Sequence, residues 1–213
     1  GIPVHVPLNA AMRFDAEAVR KAITPRTRLL LINTPHNPSG RILHDADLRA
    51  ITGMLRDTNI LLLSDEVYEH MVFDGEEHVS AIRYPELRER AFIVLSFGKV
   101  FHVTGWKAGY VLAPKELTTE FRKAHQFNVF SVNTPVQHAL SEYMKEPSHY
   151  DAVSQLYQAK RDRFLIGLRV SRFTPLACEG SYFQLADYSA ISDEPELEFA
   201  KRLAVDHGVA AIP

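Results

Sequence analysis

The chain has 213 residues, 46% hydrophobic and 23% charged, enough for one large domain around a real core or for one domain and part of another. A formal charge of −2 leaves no basic excess to neutralise a nucleic-acid backbone or an anionic membrane surface, so neither is expected as a partner. The lone cysteine, Cys178, excludes an internal disulfide and offers no metal-ligand spacing, which fits a reducing cytoplasm.

Gly1 opens in what reads as mid-domain sequence, without an initiating Met or a signal-peptide pattern, and Pro213 directly follows a strand-like run. Both ends read as those of a segment cut from a longer protein. Three short apolar runs, residues 29–32, 60–63 and 92–95, are bounded by polar or turn residues and read as buried parallel strands. They fall far short of the ~20 residues of a membrane helix. Between the first two, Leu48, Ile51, Met54 and Leu55 recur at helical spacing, which predicts a helix over 45–57 with Asp45 as its N-cap. Helical patterns follow over 114–127, 135–145 and 150–168. From about Phe173 the pattern changes to a strand over 182–186, a helix over 195–207 and a strand over 209–212. The expected fold class is α/β, a doubly wound and mostly parallel sheet. Residues 1–165 read as its large domain and 166–213 as the start of a smaller α+β domain.

In an open α/β sheet, ligands sit beyond the carboxyl ends of the strands. The first run is followed by Asn33-Thr34-Pro35-His36-Asn37-Pro38-Ser39-Gly40, the second by Ser64-Asp65-Glu66-Val67-Tyr68 and the third by Ser96-Phe97-Gly98-Lys99. Each has an ordinary structural reading on its own: a turn, an acidic pair at a helix start, a solvated lysine. Together they bring an amide, a carboxylate, a phenol, hydroxyls and an amine to one sheet edge.

With Thr104-Gly105-Trp106-Lys107, the stretch from Phe130 to Pro135 and the stretch from Cys178 to Phe183, these motifs resemble the signature set of class I (fold type I) pyridoxal-phosphate (PLP) aminotransferases, nearest the methionine and kynurenine aminotransferase branch. The similarity runs over essentially all 213 residues. It implies pyridoxal 5'-phosphate as cofactor, no metal, and transfer of an amino group from a methionine, aromatic or kynurenine-like amino acid to a 2-oxo acid. A PLP-dependent carbon-sulfur lyase and a non-catalytic PLP-binding regulator module share enough of this pattern to stand as alternatives.

The resemblance also assigns roles. Lys99 would hold the cofactor as a Schiff base and carry the proton, Asp65 would face the pyridine nitrogen, and Tyr68 and Asn37 the phenolic oxygen. Ser96 and Lys107 would bind the phosphate. Lys107 stands where aspartate aminotransferases carry arginine and loses the two-pronged contact; Gly98 stands where serine is frequent and removes one hydroxyl. Phe130 resembles a position lining the neighbouring subunit's pocket, which implies a homodimer. In relatives the arginine that binds the substrate carboxylate and the aromatic that stacks on the cofactor would fall beyond Pro213 and before Gly1. His36 and His102 read as structural, and Trp106 as packing beneath the lysine loop.

Overall fold

The structure is a computed structural model describing residues 1–213. In chain order its elements are α1 (Ala16–Ala22), β1 (Leu29–Asn33), α2 (Asp45–Leu55), β2 (Leu61–Asp65), α3 (Pro85–Arg88), β3 (Ala91–Ser96), α4 (Phe97–Val100), β4 (Gly109–Leu112), α5 (Lys115–Asn128), α6 (Thr134–Tyr143), α7 (Ser148–Asp151), α8 (Val153–Leu168), β5 (Thr174–Pro175), β6 (Ala186–Asp187) and α9 (Glu196–His207). The main sheet has the order β1-β2-β3-β4, with the first three strands parallel and β4 antiparallel. No helix is long and apolar enough to cross a membrane.

Side-chain alternation along the strands decides what each sheet face carries. Ile32, Leu62, Ile93 and Leu95 form one buried face and pack against Leu48, Ile51 and Leu55 of α2 and Leu87 of α3. The helical spacing of the α2 residues puts them on a single stripe. Burial of each such Leu or Ile contributes about 1.5–3 kcal/mol. On the opposite face Phe92 meets Phe121 of α5, with ring centroids 6.2 Å apart. Helices therefore cover both faces, while Leu29 and Leu31 of β1 stay exposed.

The register aligns the strand ends. Asn33 lies opposite Asp65, and Asp65 opposite Val94, so the polar clusters after β1, β2 and β3 emerge along one edge.

Several expectations are corrected. The N-cap of α2 is His44, whose backbone N–H donates to the Asp47 carboxylate at 2.9 Å. Asp45 is the first helical residue, and its carboxylate takes Arg49 and the Tyr84 hydroxyl instead. The helix expected over 150–168 is interrupted at Ala152 between α7 and α8. The strand expected over 182–186 shrinks to β6, paired with β5, and residues 209–212 form no strand. A β-favouring run becomes a strand only where a neighbouring backbone completes its ladder; here the backbone just before β6 bonds to loops instead. Helix α1 and strand β4 were not anticipated.

Residues 178–183 form a strap that leaves the β5–β6 unit and lies on the loops after β1 and β2. The N–H groups of Glu179 and Gly180 both donate to the Gly40 carbonyl at 2.8 Å, and that of Ser181 donates to the Met71 carbonyl at 2.8 Å. The Glu179 carboxylate accepts from Arg13, from Arg41 and from the Ile42 N–H. Glycine is required on both sides of this contact. Gly40 has φ +67, and a Cβ on it would sit 2.5 Å from Cys178 Sγ; a Cβ on Gly180 would sit 2.6 Å from the Met71 carbonyl oxygen.

Candidate functional site

The loop after β1 is tied to the end of β2 by Asn33. Its side-chain amide donates to the Asp65 carbonyl at 3.0 Å, and its carbonyl oxygen accepts the Asn37 N–H at 2.7 Å. Asn33 thus fixes where the exposed Asn37 begins. The neighbouring His36 pairs its Nδ1 with Ser39 Oγ at 2.8 Å, and burial lowers its pKa. It staples the loop, as expected of a structural histidine.

The acidic pair after β2 divides into two roles. Glu66 is buried and fully occupied: it accepts from Ser64 Oγ at 2.7 Å and from the Ala81 N–H at 3.0 Å, and it pairs with His78 Nε2 at 2.8 Å. Burial alone would raise its pKa, but the bonds from His78, Ser80 and Ser64 outweigh burial and hold it below the usual range. Asp65 is partly buried and has one weak partner, the Val67 N–H at 3.3 Å. Burial pushes its carboxyl up, against the pull of that bond and of the Lys99 charge. An underpartnered carboxylate next to an ammonium is thus left at the strand end.

Lys99 sits on α4, directly after Gly98. A Cβ on Gly98 would lie 2.9 Å from Thr104 Cα, so glycine lets the following turn fold back over the helix. The Lys99 ammonium donates to the Tyr182 hydroxyl at 3.0 Å, and Tyr68 donates to the same oxygen at 3.4 Å. The two tyrosine rings are edge to face, 5.2 Å apart, and Lys99 Nζ lies 5.6 Å from each centroid. Such contacts attract a cation to the ring faces. Burial first, then the bond to Tyr182 and the charges of Tyr182 and Asp65, push the Tyr68 phenol up, while the Asn37 amide opposes them. For Tyr182 the order reverses: burial would raise its pKa, but the bonds from Tyr68 and Lys99 and the Lys99 charge bring it down. A cleft of about 410 Å³ opens here, lined by Gly98, Lys99, His102, Thr104, Tyr157 and Tyr182.

Lys99, Asp65, Tyr68 and Asn37 therefore act on one another at one edge. Ser96 ends β3 opposite Gly109, two residues past Lys107, so the β3–β4 pairing draws these two candidates toward each other. Neither bonds to the Lys99 cluster. Lys107 is exposed, left-handed at φ 53, and in no ion pair. Trp106, expected to pack beneath the lysine loop, is 45% exposed at the end of a short 3-10 turn. Phe130 is exposed. Tyr182 and Tyr157 were given no part by the sequence reading. The only available signal for Tyr182 was its place in a stretch already matched to the family.

The sequence model of the family "Aminotransferase class I and II" matches residues 1–213. The methionine aminotransferase of Escherichia coli (strain K12) is 47% identical over 94% of this chain and 52% of its own length. Kynurenine--oxoglutarate transaminase 1 of Mus musculus is 34% identical over 94% of this chain and 52% of its own length. The chain spans about half the length of the curated relatives it matches. Among solved structures, that of an Escherichia coli methionine aminotransferase superposes with a TM-score of 0.93 at 46% identity, over 96% of this chain and 55% of that one. A Thermus thermophilus aspartate aminotransferase variant gives 0.89 at 32% identity, over 100% and 59%. A match over the full chain, on the fold and on the motifs at three strand ends, makes this chain a member of the class I and II aminotransferase family, whose cofactor is pyridoxal 5'-phosphate.

Proposed function

We propose that the protein transfers an amino group from an α-amino acid, with methionine the first donor to test and aromatic or kynurenine-like donors next, to a 2-oxo acid. The observation that carries this reading is the Lys99 amine, held between Tyr68 and Tyr182 beside the underpartnered Asp65. The chemistry of this donor set fits pyridoxal phosphate group by group. An amine answers an aldehyde, a carboxylate a pyridinium nitrogen, a phenol and an amide a phenolate oxygen, and a hydroxyl and an ammonium a phosphate. That fit includes Asp65, whose carboxyl pKa is pushed up by burial and whose one hydrogen bond is the weak one from the Val67 N–H.

When bound, the cofactor supplies an electron sink for the pair left at the substrate Cα. The chain's own residues do the rest. Lys99 would hold the cofactor, and its Nζ would be the group that moves the proton at the substrate Cα. Asp65 keeps the ring nitrogen protonated by its charge. Tyr68 and Asn37 donate to the phenolic oxygen, and Ser96 and Lys107 anchor the phosphate. In the same reading residues 1–165 form the cofactor-binding unit, 166–213 begin a second one, and two copies pair with Phe130 at the neighbour's substrate pocket.

The test is a panel of amino donors, each given with a 2-oxo acid and PLP to the purified full-length protein, because the 213 residues alone, about half the length of their relatives, are not expected to turn over at a useful rate. Formation of the new amino acid from methionine is the expected result. Pyruvate and ammonia released from a cysteine conjugate without an acceptor would move the assignment to a carbon-sulfur lyase. Binding of PLP with no turnover on any donor would move it to a regulator module.

Phosphate anchoring gives a separate expectation. A charge-assisted hydrogen bond from Lys107 is worth about 1.5–3 kcal/mol, so Lys107→Ala weakens PLP affinity by roughly tenfold or more. Spectroscopic titration of the cofactor-free protein reads this directly. An unchanged dissociation constant would return Lys107 to the ordinary surface.

A further inference from the structure

Tyr182 is the residue lining the lysine cleft that bonds to the Lys99 amine, and the reaction as proposed leaves it without a task. Its oxygen is the only hydrogen-bond partner of the Lys99 amine, and it accepts from Tyr68 as well. Its position does not come from burial of its own ring, which is 41% exposed. The strap fixes it instead. The residue two before it, Gly180, is bonded to Gly40 and pressed against Met71 and Pro35; the residue directly before it, Ser181, is bonded to Met71. The backbone thus delivers a hydroxyl to a set point above α4, and the ring edges of Tyr68 and Tyr182 close the sides.

We infer that Tyr182 is a positioning residue for Lys99: its hydroxyl is the acceptor at which the lysine amine docks whenever that amine is not covalently engaged, which keeps it beside Tyr68. An ammonium can only donate, so an acceptor without formal charge holds it without the tight ion pair that a carboxylate would form. A docked amine on a four-carbon stem returns to the same place after each release. The inference rests on the aminotransferase reading for its consequence in turnover, but the docking itself concerns this chain alone.

The test compares wild type with Tyr182→Phe, which keeps the ring and removes the oxygen. In the cofactor-free protein, trace acetylation by acetic anhydride, read by peptide mass spectrometry, reports the reactivity of Lys99 against Lys160 as an internal standard. Loss of the acceptor frees the amine, and Lys99 labelling rises several-fold while Lys160 is unchanged. Ultraviolet titration at tyrosine wavelengths loses the phenol whose pKa the bonds from Tyr68 and Lys99 bring down. With cofactor and substrates, kcat falls about 10- to 100-fold, the range for one hydrogen bond to a charged group, and KM for the donor stays within about twofold. A purely structural role would move melting temperature and KM, not this pattern. Unchanged Lys99 labelling in a folded Tyr182→Phe protein overturns the docking. Changed labelling in a protein whose wild type transfers no amino group keeps the docking and overturns the aminotransferase reading.

Discussion

Lys99→Ala is expected to abolish amino-group transfer, by about 10⁴-fold or more, because one substitution removes both a nucleophile and a proton carrier. Loss of a positioned general acid–base alone costs about 10² to 10⁴, and covalent engagement is lost in addition. No other lysine lines the cleft to take over. The fold should be untouched, since the side chain is only partly buried and makes one hydrogen bond; melting temperature should stay close to wild type. Lys99→Arg is the informative companion. Its guanidinium preserves the positive charge between the two tyrosine rings but does not give up its proton at working pH. It should be as inactive as alanine, which assigns the loss to chemistry and not to charge. Transfer within tenfold of wild type in either variant, followed by amino-acid analysis of the product, would remove Lys99 from the mechanism.

Asp65→Asn should produce two changes of opposite sign. In the loaded enzyme, the charge facing the ring nitrogen disappears, and a transition-state interaction of roughly 3–5 kcal/mol corresponds to a loss of about 10² to 10⁴ in rate. In the cofactor-free protein the same change should stabilise. Burial raises the Asp65 pKa in the folded state, so the fold retains that proton to higher pH than the unfolded chain does. The group's contribution to stability is then full below the unfolded carboxylate pKa and is lost as pH rises through the folded one. At pH 7 the ionised carboxylate works against the fold, and asparagine relieves it. Thermal melts of the cofactor-free proteins should show the variant above wild type at neutral pH and the gap closing in acid. A variant that melts lower at pH 7 would mean that the Lys99 charge outweighs burial at Asp65 in the cofactor-free protein.

Much of this arrangement was legible because it is written locally. The apolar runs of β1, β2 and β3 and the helical stripe of α2 are short-range periodicities, and the chemistry follows each strand within a few residues. The split between Asp65 and Glu66 was not legible: the two carboxylates are adjacent, and only the distant His78 and Ala81 reveal that Glu66 is consumed structurally. Strand β4 was missed because Gly109 to Leu112 is four residues long and mostly exposed, and it becomes a strand by pairing with β3. The opposite error occurred at 209–212, where a β-favouring sequence finds no partner. Tyr182 escaped for a topological reason, since 83 positions separate it from Lys99 and no periodicity spans that distance.

The strap also sets the order in which the molecule can be assembled. Asn33 and Asp65 are 32 positions apart, whereas Arg41 and Glu179 are 138 apart. That is about two doublings of loop length and roughly 1 kcal/mol more closure entropy. The sheet edge bearing the amide and the carboxylate can form before the wall that carries Tyr182. On a growing chain made at about 5–20 residues per second, Tyr182 follows Lys99 by roughly 4–17 s. For that interval the nascent chain carries the Lys99 amine without its acceptor.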